Sequence, residues 1–137
     1  METTASAFML IIHDVPQATY DARAPEERHE SMRRWNAWTD GMAAQGKLVD
    51  GHPLEAGRRT ISGARGGRVL DGPFAEIKEL VGGYFVLTDV SLEEATSLAQ
   101  QCPNLRYGMT VEIRPIAGAC DVARSLGWET MREPAAS

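Results

Sequence analysis

The chemistry open to this 137-residue chain rests on a few side chains. Its histidines, His13, His29 and His52, belong to the residue type most often used as a general acid or base. His13 and Asp14 follow the apolar run Phe8-Met9-Leu10-Ile11-Ile12, at the end of a strand where side chains leave a core and can face a cavity. As neighbours on extended backbone they point to opposite faces, so they are no ready-made dyad. His13 is either a general base or a histidine held by an ordinary hydrogen bond. Asp71 precedes Gly72-Pro73, where a carboxylate either caps its own turn or points across the mouth of a sheet. His52, in Gly51-His52-Pro53-Leu54, falls in a turn-rich loop that can approach the same mouth. His29 is most simply a surface residue.

Two further residues suit binding. Arg28 falls within an apolar helical stripe, so its guanidinium must snorkel out or meet a carboxylate or a ligand anion; an Asp71–Arg28 pair and an anion clamp are the two forms of that. Trp35 brings a flat apolar surface for packing or for stacking on a ligand. Glu76, Lys78 and Glu79 form either a solvated charge cluster or a cleft acid–base group. The histidines lack HxH or HxxxH spacing, and Cys102 and Cys120 lack a CxxC pair, so no metal centre is expected and both thiols read as buried or inert. Neither GxGxxG nor a P-loop occurs, and no cofactor is expected.

These residues must be positioned by regular elements. Phe8–Ile12 and Tyr84–Thr88 read as central strands. Pro25 suits a first helical position, and Glu26 and Glu27 suit the dipole of its first turn. That helix runs to about Gln45, with Met32, Trp35, Trp38, Thr39 and Met42 on one stripe and Gly46 as the stop. Arg59–Ser62 and Arg68–Leu70 flank a glycine-rich turn as a hairpin, while Lys47–Gly57 reads as turns. Ser91 and Glu94 form a capping box for a second helix carrying Leu92, Ala95, Leu98, Ala99 and Cys102, which must end before Pro103. Met109–Arg114 alternates as a half-exposed strand. Each helix lies between two strands, giving a ferredoxin-like α+β plan: an antiparallel sheet with two helices on one face. The opposite face is left bare. The runs at Phe8–Ile12 and Tyr84–Leu87, with the alternating Met109, Val111 and Ile113, therefore predict a sheet-to-sheet homodimer.

Composition narrows the function classes. Nineteen acidic against fourteen basic residues give a net charge of −5, the wrong sign for neutralising nucleic-acid phosphates. The longest apolar run falls far short of the roughly 20 residues a membrane helix needs. With no basic start resembling a signal peptide, the expectation is a cytoplasmic protein that binds neither nucleic acid nor membrane.

The segment Asp71-Gly72-Pro73-Phe74-Ala75-Glu76-Ile77-Lys78-Glu79 resembles the signature of the YCII-related, or DGPF-domain, family. The resemblance continues through Gly82-Gly83-Tyr84-Phe85, Cys102-Pro103-Asn104-Leu105 and Val111-Glu112-Ile113-Arg114-Pro115, and reaches back to Trp35-Asn36-Ala37-Trp38 and Gly51-His52-Pro53-Leu54. It implies a dimeric α/β-barrel of ferredoxin-like protomers over residues 7–116, with 117–137 as a C-terminal extension. It also implies an Asp–His pair in a cleft. Asp71 matches that aspartate, whereas Trp35 takes the place nearest to the helix histidine. Two functions stand open beside that of a purely structural partner protein. One is a cofactor-independent enzyme acting on a small polar or aromatic compound, with Asp71 as base or orienting carboxylate, His13 as relay, Arg28 as anion anchor and Trp35 and His52 on the substrate. The other is a non-catalytic metabolite-binding or regulatory homodimer. In the extension, Asp121 is expected to cap a short helix that docks Val122, Leu126 and Trp128.

Overall fold

The computed structural model describes residues 1–72 and 80–136, so the Glu76, Lys78 and Glu79 cluster and the Pro73-Phe74 half of the turn lie outside the described residues. Strand β1 (Phe8–Asp14) runs through the sheet centre, flanked by β5 (Leu80–Leu87) and β6 (Thr110–Pro115). The outer neighbour of β5 is β2 (Leu48–Pro53), giving the antiparallel order β2-β5-β1-β6. Helix α2 (Pro25–Ala44) joins β1 to β2, and α3 (Leu92–Gln100) joins β5 to β6. This is the ferredoxin-like α+β plan. A short helix α1 (Gln17–Asp21) and a 3-10 helix (Pro103–Tyr107) border it. Among the described residues, strands β3 (Arg58–Ser62) and β4 (Arg68–Gly72) pair only with each other, as a separate hairpin between β2 and β5.

The core lies on the helical face of the sheet. Phe8, Leu10 and Ile12 of β1 and Leu87 of β5 pack there against Trp38 and Met42 of α2 and Ala95 and Ala99 of α3. The capping box forms as the Ser91 hydroxyl accepts from the Glu94 amide while the Glu94 carboxylate accepts from the Ser91 amide. The Trp38 indole N–H donates to the Leu98 carbonyl at 2.9 Å, tying the two helices together.

Four expectations need correction. Residues 48–53 form an edge strand, because β5 supplies a hydrogen-bonding ladder that offsets the weak strand propensity of Asp50, Gly51 and Pro53. Val111 and Ile113 pack against the core, as does Met109 just before β6, so the bare face of β6 shows Thr110, Glu112 and Arg114. The outer face is apolar at its centre, where Met9 and Ile11 of β1 and Val86 of β5 alternate with inward-facing neighbours. Met32 is 56% exposed, because the α2 stripe runs off the core into a cavity. Lastly, Cys120 is exposed, whereas Cys102 is buried and burial pushes its thiol up.

Helix α4 (Asp121–Ser125) has Cys120, not Asp121, at its N-cap. It buries Ala123, with Ala119 beside it, and leaves Val122 and Leu126 exposed; Trp128 is half-buried. No described helix is long and apolar enough to cross a membrane.

Candidate functional site

Where the sheet outruns the core, a cavity of about 690 Å³ opens between its β1, β5 and β2 strands and the α1, α2 and 3-10 helices. Strand alternation builds its floor. Ile12 and Phe85 face the helices, and Trp35 stands 5.9 Å from Phe85 ring to ring. Glycines keep the floor open: a side chain at Gly51 would collide with the Phe85 ring. At the bulge where Ile12 pairs with Gly83 and His13 with Val81, Gly82 is the extra residue. A Cβ there would lie 2.9 Å from both Cβ and Oδ2 of Asp14, so only glycine lets that carboxylate stand where it does.

Asp14 marks the polar end. Its Oδ1 accepts the Tyr20 hydroxyl at 2.6 Å and its neighbour's Val15 amide at 2.8 Å. Among the described residues nothing bonds Oδ2. Burial pushes the Tyr20 phenol well up, the Asp14 hydrogen bond and charge push it further, and the Asn104 amide opposes them. Tyr20 therefore stays protonated at physiological pH and acts as a donor. Asn104 also bears a buried Oδ1 without a hydrogen-bond partner among the described residues.

Two arginines stand at the rim, each beside a carboxylate. The Arg23 guanidinium lies 5.1 Å from the centre of the Tyr107 ring, which meets Tyr20 edge to face. Arg23 approaches Glu27 to 3.9 Å and Arg28 approaches Asp21 to 3.9 Å. The Tyr107 hydroxyl donates to Glu27 at 3.2 Å and shares a 2.8 Å hydrogen bond with Ser31.

Of the residues expected at the site, Arg28, Trp35 and His52 border this cavity, and His13 and Asp71 do not. His13 lies on the outer sheet face, where its Nε2 is 2.8 Å from Glu112, because the alternation that turns Ile12 inward turns it outward. Asp71 is on the exposed hairpin and accepts from Arg59 at 2.6 Å across the β3–β4 pair. The Asp71–Arg28 pair therefore does not form; each has another partner. His52 lies on an edge strand rather than in a loop, and its imidazole pairs with Asp50 at 3.0 Å, beside Tyr84 on the outer face. Asp14 could have been singled out by continuing the period-two pattern Phe8, Leu10, Ile12, Asp14. Tyr20, Asn104 and Tyr107 carried no such signal, since α1 and the 3-10 helix that bring them in are too short to show a period. Among the described residues no group of three His, Cys, Asp or Glu could hold a metal ion.

Fold and cavity together define a ferredoxin-like α+β protein with a pocket between sheet and helices. The YCII-related domain model matches residues 6–117, and the chain belongs to that family. An uncharacterized protein of Rhizobium meliloti (strain 1021) is 40% identical over 50 residues, covering 36% of this chain and 40% of that protein's length. The chain is also similar to the solved 5-chloro-2-hydroxyhydroquinone dehydrochlorinase (TftG) of Burkholderia phenoliruptrix AC1100, in complex with 2,5-dihydroxybenzoquinone. That similarity has 16% identity and a TM-score of 0.48, over 82% of this chain and 95% of that one.

Proposed function

We propose that this protein is a cofactor-independent enzyme that moves a proton on a small polar or aromatic compound held in the cavity, with Asp14 as the base. The carrying observation is a carboxylate oxygen left open toward a cavity lined by Trp35 and Phe85. Tyr20 fixes the other oxygen, which orients the carboxylate, and being held as a phenol it cannot itself be the base. Asp14 Oδ2 takes a proton from an acidic C–H or O–H of the substrate. The electron pair moves into the conjugated system or leaves with a departing anion, and the protonated Asp14 returns its proton to product or water. His13 and Asp71, outside the cavity, have no part in this step. The functional unit is a cytoplasmic homodimer seated on the outer sheet face around Met9, Ile11, Tyr84 and Val86.

The test compares wild type with Asp14→Asn and, as an outer-face control, His13→Asn, screening hydroxylated aromatic compounds by thermal shift and then for turnover. Asp14→Asn should keep binding and lose about a hundredfold or more in turnover, the usual scale for removing an acid–base group. Turnover unchanged in Asp14→Asn, or abolished in His13→Asn, would overturn the assignment. A second reading, a non-catalytic metabolite-binding homodimer, is favoured by one observation: Asp14 is the only carboxylate among the described residues lining the cavity. Binding without turnover throughout would establish it instead.

A further inference from the structure

The cavity keeps its opposite charges apart. Asp14 at one end is engaged by uncharged donors, Tyr20 and the Val15 amide. Neither arginine of the lining reaches it within 4 Å; their carboxylate neighbours are Glu27 and Asp21. Tyr20, bonded to Asp14, and Tyr107, beneath Arg23, stand between the two ends. Both arginine contacts are 3.9 Å, longer than a hydrogen bond, and among the described residues neither guanidinium donates one from its side chain. By contrast, Arg33 donates to Glu30 at 3.0 Å on the same helix, so a tight pair is within that helix's reach. Two guanidinium forks thus border an apolar, aromatic-floored cavity with their donors unspent, and such a fork matches a carboxylate in two parallel hydrogen bonds.

Resting on the reading of this cavity as a small-molecule site, we propose that its ligand is an aromatic carboxylate carrying a hydroxyl or amino group. The carboxylate is gripped by Arg23 and Arg28, the ring lies against Trp35 and Phe85, and the hydroxyl or amino group donates to Asp14 Oδ2. A single negative charge fits better than a phosphate dianion, because Arg23, Arg28, Glu27 and Asp21 already sum to zero at the rim and Asp14 adds a negative charge inside.

The test is calorimetric titration of the full chain with the three hydroxybenzoate isomers, the matching hydroxybenzamides and phenyl phosphate, on wild type and on an Arg23→Gln/Arg28→Gln double variant. Both arginines are partly exposed, so the variant should keep the wild-type melting temperature. Wild type should bind at least one hydroxybenzoate about tenfold or more tighter than its amide, with the preference shrinking as salt rises. The double variant should bind acid and amide alike, at the affinity wild type shows for the amide. Equal affinity of wild type for acid and amide, a preference surviving in the double variant, or tighter binding of phenyl phosphate would overturn this proposal and leave the cavity reading intact. Failure of every probe to bind would overturn both.

Discussion

Replacing Tyr20 with Phe removes one hydroxyl, and its consequences follow from two contacts. The lost bond is a 2.6 Å donation to a carboxylate, a type worth about 1.5–3 kcal/mol. Asp14 keeps the Val15 amide, and water can reach its half-buried carboxylate, so the expected cost at pH 7 is about 1–2 kcal/mol. For a chain of 137 residues that corresponds to a fall of about 5 °C in melting temperature. The pH dependence is the sharper readout. In the folded protein Tyr20 keeps its proton above the ordinary tyrosine range, whereas in the unfolded chain it ionises near pH 10. Its contribution is therefore fully present below pH 10 and is lost as pH rises beyond it. The limiting slope is about 1.4 kcal/mol per pH unit, and solvent screening of this half-exposed group shortens the pH range over which it acts. Urea unfolding from pH 7 to 11 should thus show a gap between wild type and Tyr20→Phe that is nearly constant to about pH 9.5 and has narrowed by about 1 kcal/mol at pH 11. Other tyrosines and lysines titrate in both proteins and cancel in the difference. A gap absent at pH 7, or unchanged through pH 11, would refute the account of Tyr20.

Gly82→Ala should destabilise the fold by about 1–3 kcal/mol in denaturant unfolding, since its Cβ would crowd Asp14, and should weaken ligand binding through the displaced carboxylate. On the proposed outer-face homodimer, Ile11→Asp should be monomeric in light scattering at micromolar concentration where wild type is dimeric, because Ile11 lies on that face, away from the core. Removing residues 118–137 should cost on the order of 2 kcal/mol, read as a few degrees of melting temperature, through loss of buried Ala119 and Ala123 and half-buried Trp128.

The order of elements was legible because its signals are local. A capping box, a proline at a helix start and an unbroken apolar strand each act within a few residues, and the structure uses all three. Strand β2 was illegible because its cause is remote: Asp50, Gly51 and Pro53 are extended only because β5 lies beside them. Site residues divide along the same line. Arg28 and Trp35 sit on the cavity side of a long helix and were within reach of a helical stripe. Tyr20, Asn104 and Tyr107 arrive on helices too short to show a period.

His13 and Asp14 show how little separates the two outcomes. They are adjacent, both polar, and both at the end of β1, and histidine has the more useful titration range. Yet the strand's two-residue period sends the imidazole to Glu112 on the outer face and the carboxylate into the cavity. The bulge at Gly82 then removes the side chain that would have blocked Asp14. Chemical aptitude nominates a residue, but on a strand parity decides which cavity it can serve. In the proposed reaction Asp14 takes the role that the family resemblance implies for Asp71, whose carboxylate is engaged by Arg59 on the exposed hairpin.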